Sequence, residues 1–244
     1  MSFSLRICRT CMITPDLMQL NRHFTESNCV LRTPETHFEQ CSKLDGPLCA
    51  HYSTTYGINR LSILEEVPGF SVVTALLHDI MHDLFEGIVP LEVKLLLDHC
   101  ISGCKYFTKH ELNNRLQSFD FPENKPSAID TRQSASQMIT LLRFLPLIIG
   151  DKIPSDDEYW HNFLLIKICG LAMSPVFTHD NVAYLSLLIK EKLELFVKLF
   201  PTTRLIPKHG TLCSADCEFW ATSASLVYET RGKIKFYQMC VKEE

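Results

Sequence analysis

The sequence has no apolar run long enough to cross a bilayer. The longest, Leu141 to Gly150, is interrupted by Arg143 and Pro146, whereas a spanning helix needs about 20 apolar residues. Basic charge is not in excess either: 24 Lys and Arg stand against 28 Asp and Glu, a formal net charge of −4. Strong non-specific DNA binders neutralise phosphates with clustered Lys and Arg, so this chain alone is not expected to be one. No low-complexity tract and no internal repeat is present. No long apolar core precedes the first cysteine, so no secretory leader is expected. Signals for β-structure are sparse, and Phe70 to Val73 is the best candidate strand.

What is present is a mainly α pattern in a chain of 244 residues with a hydrophobic fraction of 46%. That length suits one large domain or two small ones, and that composition supports a sizeable core. The 11 cysteines are odd in number and have no leader before them. Reduced thiols in the nucleus or cytoplasm, some of them metal ligands, are therefore expected rather than a disulfide framework.

Three segments are distinguished. Residues 1–60 are irregular and carry Cys and His. Within them Thr14-Pro15 and Thr33-Pro34 each read as an N-cap followed by proline in the first turn. The first opens a helix to about Phe24. The second places His37 and Cys41 on one helix face, with Cys49 and His51 following in a loop. Residues 61–207 form a helical domain. Two helices meet near Gly87 and Pro90. Thr108 to Glu111 is a capping box for a helix to about Ser118. A long helix runs from about Arg132 to Ile149. Ser155 to Glu158 is a second capping box, launching a helix to about Met173. Thr178 to Asp180 caps the last helix, which Pro201 stops. Residues 208–244 are degenerate in pattern.

Two constellations carry chemistry. Cys8 and Cys11 form a CxxC turn, which can present two thiolates to one tetrahedral zinc ion. Spacing leaves the partner ligands open between His37 with Cys41 and His209 with Cys213. The alternative is a pair of structural thiols. The other constellation is Asp79, His82, Asp83 and Glu86, which a helix would align as one polar stripe. A carboxylate beside an imidazole fixes its tautomer and raises its basicity, which serves metal-assisted phosphoryl transfer. The alternative is an exposed acidic face.

Residues 77–97, LHDIMHDLFEGIVPLEVKLLL, resemble a segment of transposases of animal DNA transposons in the CACTA (EnSpm) group, members of the DDE class with an RNase H-like catalytic fold. In the same order SFSLRICRTC (2–11), FTKHELNNRL (107–116), NKPS (124–127), LLRFLPLIIGDKIP (141–154) and LFPTTRLIPKH (199–209) also follow the family pattern. The resemblance implies that Asp79 and His82 match the family's C-or-D-x-x-H signature. It places the catalytic glutamate at Glu229, in YETRGKIKFY (228–237). Residues 61–207 would be the helical insertion of the RNase H-like core, with Mg or Mn held by three acidic groups in a complete enzyme acting on DNA. It also implies a zinc site, similar to that of the V(D)J recombinase, using Cys8, Cys11 and His209. Where the family has a second histidine after His209, this chain has GTLCSADC (210–217), in which Cys213 would substitute.

The family's first two metal-binding aspartates lie upstream of the cysteine turn, where this chain begins. The expectation is therefore a transposase fragment that is inactive alone. Two other functions compete. One is a zinc-stapled helical module that binds protein partners. The other is an HD-type phosphohydrolase, which would gather His51, His78, Asp79 and Asp151 around a metal.

Overall fold

Among the described residues, three helices begin with the same reciprocal device. Thr33, Thr108 and Ser134 each accept a bond from the backbone N–H three residues on, and the side chains of Thr36, Glu111 and Gln137 reach back to the cap residue. Each box satisfies two of the donors that a helix start otherwise leaves unpaired. Thr178 caps a fourth helix by accepting from Asn181 N.

The computed structural model describes residues 5–8, 10–20, 30–75, 79, 81–129, 132–174 and 178–209, without the side chains of residues 161, 162 and 179. The helices are α1 (Pro15–Leu20), α2 (Pro34–Ser42), α3 (Cys49–Tyr56), α4 (Val89–Asp98), α5 (Lys109–Ser118), α6 (Ala135–Ile149), α7 (Leu164–Ala172) and α8 (His179–Leu199). The chain is mainly helical. Among the described residues the β-structure is one isolated bridge, Cys11 to Leu31. No helix there is long and apolar enough to cross a membrane.

The centre of the fold is a rod rather than the two separate helices expected. A π-helical segment, Met81–Ile88, runs directly into α4, and a second π-turn, His99–Gly103, continues it. Gly87 lies inside the first π-segment, and Pro90, in the first turn of α4, contributes no N–H to the continuous rod at that point. The π-segment and α4 pack against α6, α7 packs against α8, and α5 packs against α6. Leu84, Phe85, Ile88, Leu145, Ile149 and Phe196 are fully buried in this contact, and each such side chain contributes about 1.5–3 kcal/mol of transfer free energy. Cys11, Ile13 and Met18 from the first segment belong to the same contiguous core. Gln19 pairs with Leu205 through both its amide groups, at 3.0 and 2.9 Å. The end of α6 is held by Arg115, which donates to Ile148 O at 2.7 Å and to Asp151 Oδ2 at 2.8 Å, a cation where the helix dipole favours one.

Three local expectations are corrected. Phe70 to Val73 is not a strand. Thr74 and Ala75 N–H turn back onto Ser71 O, and Val72 N donates to Glu65 Oε1 at 2.8 Å, so the backbone donors are consumed locally. Cys49 and His51 lie in α3 and not in a loop; Gly57, at φ 72°, ends that helix in a left-handed cap. The capping box at Ser155 does not form. Asp157 takes the role by accepting from Tyr159 N at 2.8 Å, and it opens a 3-10 stretch, Glu158–Phe163, before α7.

Candidate functional site

Asp79 stands at the head of the rod and caps it. Its Oδ1 accepts from Met81 N at 2.9 Å and His82 N at 3.4 Å, and its Oδ2 lies 2.8 Å from His82 Nδ1. The other ring nitrogen, His82 Nε2, lies 3.5 Å from Glu86 Oε2. The expected acid–imidazole couple is thus formed, in the open: Asp79 and His82 are more than half exposed. Partial burial works against the Asp79 charge, but the bonds from His82 and the two backbone amides outweigh it and hold the carboxyl below its ordinary range. The bond to Asp79 raises the His82 imidazole above its ordinary value. Lys208 lies across the same turns. Its Nζ donates to His82 O at 2.6 Å and to Glu86 O at 3.3 Å. Gly87 makes room for it, since a Cβ there would stand 2.2 Å from Lys208 Cδ.

The sign of each shift fixes a pH window. His82 contributes stability below its ordinary value of 6.5, lost as pH rises through its higher folded value. Asp79 contributes above its ordinary 3.8, lost as pH falls through its lower folded value. An NMR titration is therefore expected to place the His82 midpoint above 6.5. In Asp79→Asn the midpoint falls back toward 6.5. An unchanged midpoint in the variant would mean that the couple does not form.

His209 is placed elsewhere than a cysteine site. Its Nδ1 accepts from Ile206 N at 3.1 Å, so its Nε2–H faces Glu92 Oε1 at 3.7 Å, deep in the core. Glu92 Oε2 in turn meets Lys192 Nζ at 2.5 Å. Burial alone would raise the Glu92 pKa, but Lys192 and His209 hold it below the ordinary value. The same burial, with Glu92 nearby, pushes the Cys169 thiol up to about 12.

Cys8 and Cys11 lie at the other end of the first segment, in electrostatic range of Arg32 together with Cys41. Arg32 donates to Gln40 Oε1 at 2.7 Å and to Tyr56 O at 2.5 Å, which fixes its cation beside these thiols. His37 Nε2 and Cys41 Sγ do share a face, 3.6 Å apart. A zinc ion on Cys8, Cys11 and His209 does not fit this arrangement. Their donor atoms do not gather within 4.8 Å, and His209 is turned to Glu92. Glu229 and Cys213 lie outside the described residues. So does His78 of the HD set; of the rest, Asp151 is paired with Arg115 and His51 packs on the neighbouring Tyr52 ring.

One group of metal-type donors does converge among the described residues: His99, Cys104 and Asp157. His99 Nε2 lies 3.2 Å from Asp157 Oδ2 and 3.4 Å from Cys104 Sγ. Sequence reading missed it because Asp157 is 58 residues from His99, and because the His–Cys spacing of five suits a π-turn, not an α-helix. The signal that was available was a cysteine and a histidine flanking Gly103 at a helix end. Comparison with protein-family models, with curated proteins and with solved structures found nothing that matches this chain.

Proposed function

We propose that this chain derives from a DDE-type transposase of the CACTA (EnSpm) group, with residues 61–207 as the helical insertion of an RNase H-like core, and that it does not cut DNA by itself. The ordered series of motifs supports the ancestry, and the Asp79–His82 couple on one helical turn fits the family signature. The observation that carries the second half is how the carboxylates of that couple are used. Two-metal strand cleavage needs acidic oxygens converging on ions about 3.5–4 Å apart. Asp79 Oδ1 is taken by two backbone amides, and Oδ2 faces His82. Glu86 also faces His82. Among the described residues, no third donor joins Asp79 and His82 within metal-ligand range. The couple is then a surface feature of a helical scaffold, and protein partners suit an acidic surface better than DNA does.

The test is a cleavage assay. Purified protein with Mg or Mn is incubated with supercoiled plasmid and with an end-labelled duplex. Nicking is expected to stay at the buffer level and to be the same for Asp79→Asn. Metal-dependent nicking that disappears in Asp79→Asn would overturn the inactivity.

A further inference from the structure

We propose that His99, Cys104 and Asp157 form a zinc-binding site, with Tyr106 as a positioning residue. The proposal is independent of the chain's ancestry. It starts from the backbone. The rod ends in a π-turn whose closing bond runs from Cys104 N–H to His99 O at 2.8 Å, a reach of five residues. That turn lays Cys104 Sγ over the His99 ring. Lys105 then adopts φ 55°, a left-handed conformation uncommon for a residue with a Cβ, and Tyr106 N returns to Cys100 O at 2.9 Å. Such turns and such φ values cluster at functional sites.

Each donor is held in place by the protein. The His99 ring stacks on Tyr159 at 3.4 Å between centroids, with 7° between planes. Tyr159 is itself tied down through its hydroxyl to Leu199 O at 2.9 Å. Asp157 is fixed at both oxygens. Oδ1 accepts from Tyr159 N at 2.8 Å, and Oδ2 accepts from the Tyr106 hydroxyl at 2.7 Å while facing His99. A carboxylate and an imidazole oriented by outer hydrogen bonds and stacking are what a metal site needs around its ligands.

The spacing of His99 and Asp157 fits zinc. Zinc bonds of about 2.0–2.1 Å to N or O and 2.3 Å to S, set at the tetrahedral angle, place N and O about 3.3 Å apart and N and S about 3.6 Å apart. The observed separations are 3.2 and 3.4 Å; Cys104 Sγ is also 3.9 Å from His99 Nδ1, so the exposed thiol lies over the ring face and turns toward the ring plane to meet an ion on Nε2. The mixed N, S and O set suits zinc, whereas calcium and magnesium take oxygen.

A nucleophilic Cys–His–Asp relay is the competing chemistry, and the geometry disfavours it. In a relay the two ring nitrogens serve different partners. Here the carboxylate and the thiol both make their closest approach at His99 Nε2. Three protein ligands beside an exposed cysteine leave the fourth position to solvent, the pattern of an open zinc site.

The experiment uses the full chain, stripped with a chelator and titrated with Co(II) as a spectroscopic stand-in for zinc. One equivalent is expected to bind, with tetrahedral d–d bands and a thiolate charge-transfer band. Cys104→Ser is expected to lose the charge-transfer band, and His99→Gln to lose the tetrahedral spectrum, each with unchanged far-UV circular dichroism. Cys8→Ser/Cys11→Ser leaves both bands intact. Tyr106→Phe keeps the spectrum but weakens affinity about 10–100-fold, the size expected for an outer-shell group. The proposal is overturned if no Co(II) binds, if Cys104→Ser leaves the spectrum unchanged, or if the spectrum is lost only in the Cys8/Cys11 variant.

Discussion

Lys192→Met is expected to destabilise the protein by about 3–5 kcal/mol, the cost of removing one partner of a buried ion pair. Glu92 and Lys192 are 1% and 3% exposed, and their charged atoms are 2.5 Å apart. Without the ammonium, the Glu92 carboxylate stays in the core beside His209 Nε2, 3.7 Å away and too far for a strong hydrogen bond. Total stability for a domain is about 5–15 kcal/mol, so the loss is a large share of it. The double variant Glu92→Leu/Lys192→Met behaves differently. It removes both desolvation costs at once, and replacing both partners of a buried pair is often neutral. His209 Nε2–H already stands 3.7 Å from Glu92 in the wild type, so the double variant gives up no close hydrogen bond there. Urea denaturation of the two variants beside the wild type checks the order. Equal losses in single and double variants would mean that the pair does not act as a unit. Because the Glu92 pKa lies below its ordinary 4.5, its contribution is complete above that value and is lost as pH falls through the lower folded one.

Phe196→Ala is expected to cost a further 3–5 kcal/mol, about the figure for deleting a fully buried aromatic ring. Phe196 has no exposed surface. Its ring lies 5.3 Å from that of Phe200 and 4.9 Å from the His209 imidazole, so the cavity opens beside the buried ion pair. Leu187→Ala on the same helix is the control. Leu187 is 62% exposed, and its loss is expected to stay within about 0.5 kcal/mol. Phe196 and Lys192 sit one turn apart and both border the Glu92–His209 contact, so their effects should be non-additive by about 0.5–3 kcal/mol. Thermal or urea melts of the single and double variants measure this, and a loss below about 1 kcal/mol for Phe196→Ala would mean that the site collapses around the deletion.

Local signals in the sequence located most helices, because caps act through residues three apart. Thr33, Thr108 and Thr178 all start helices where their side chains predict it, whereas the helix expected from about Arg132 begins at Ala135 behind a Ser134 cap. The Asp79–His82 couple was legible for the same reason. Helix α3 was not, because Leu48 offers no side-chain cap and its residues carry no apolar stripe. Ser155 lost its cap to Asp157, whose oxygens are shared with Tyr106 and His99 from another part of the chain. The Glu92–Lys192–His209 cluster joins α4, α8 and the segment after α8, and nothing in local spacing announces it. His209 was read as a thiol partner because it follows a family pattern, whereas its backbone places it against Glu92.

The π-turn at His99–Gly103 has a bearing on how the chain can change. Cutting one residue out of it would restore the ordinary helical pitch and swing Cys104 by about 100° around the axis, away from His99. A point replacement there perturbs a single side chain, but an in-frame deletion or duplication reassigns every position downstream to a new bearing. Indels in this turn, rather than missense changes, are what the juxtaposition of thiol and imidazole tolerates least.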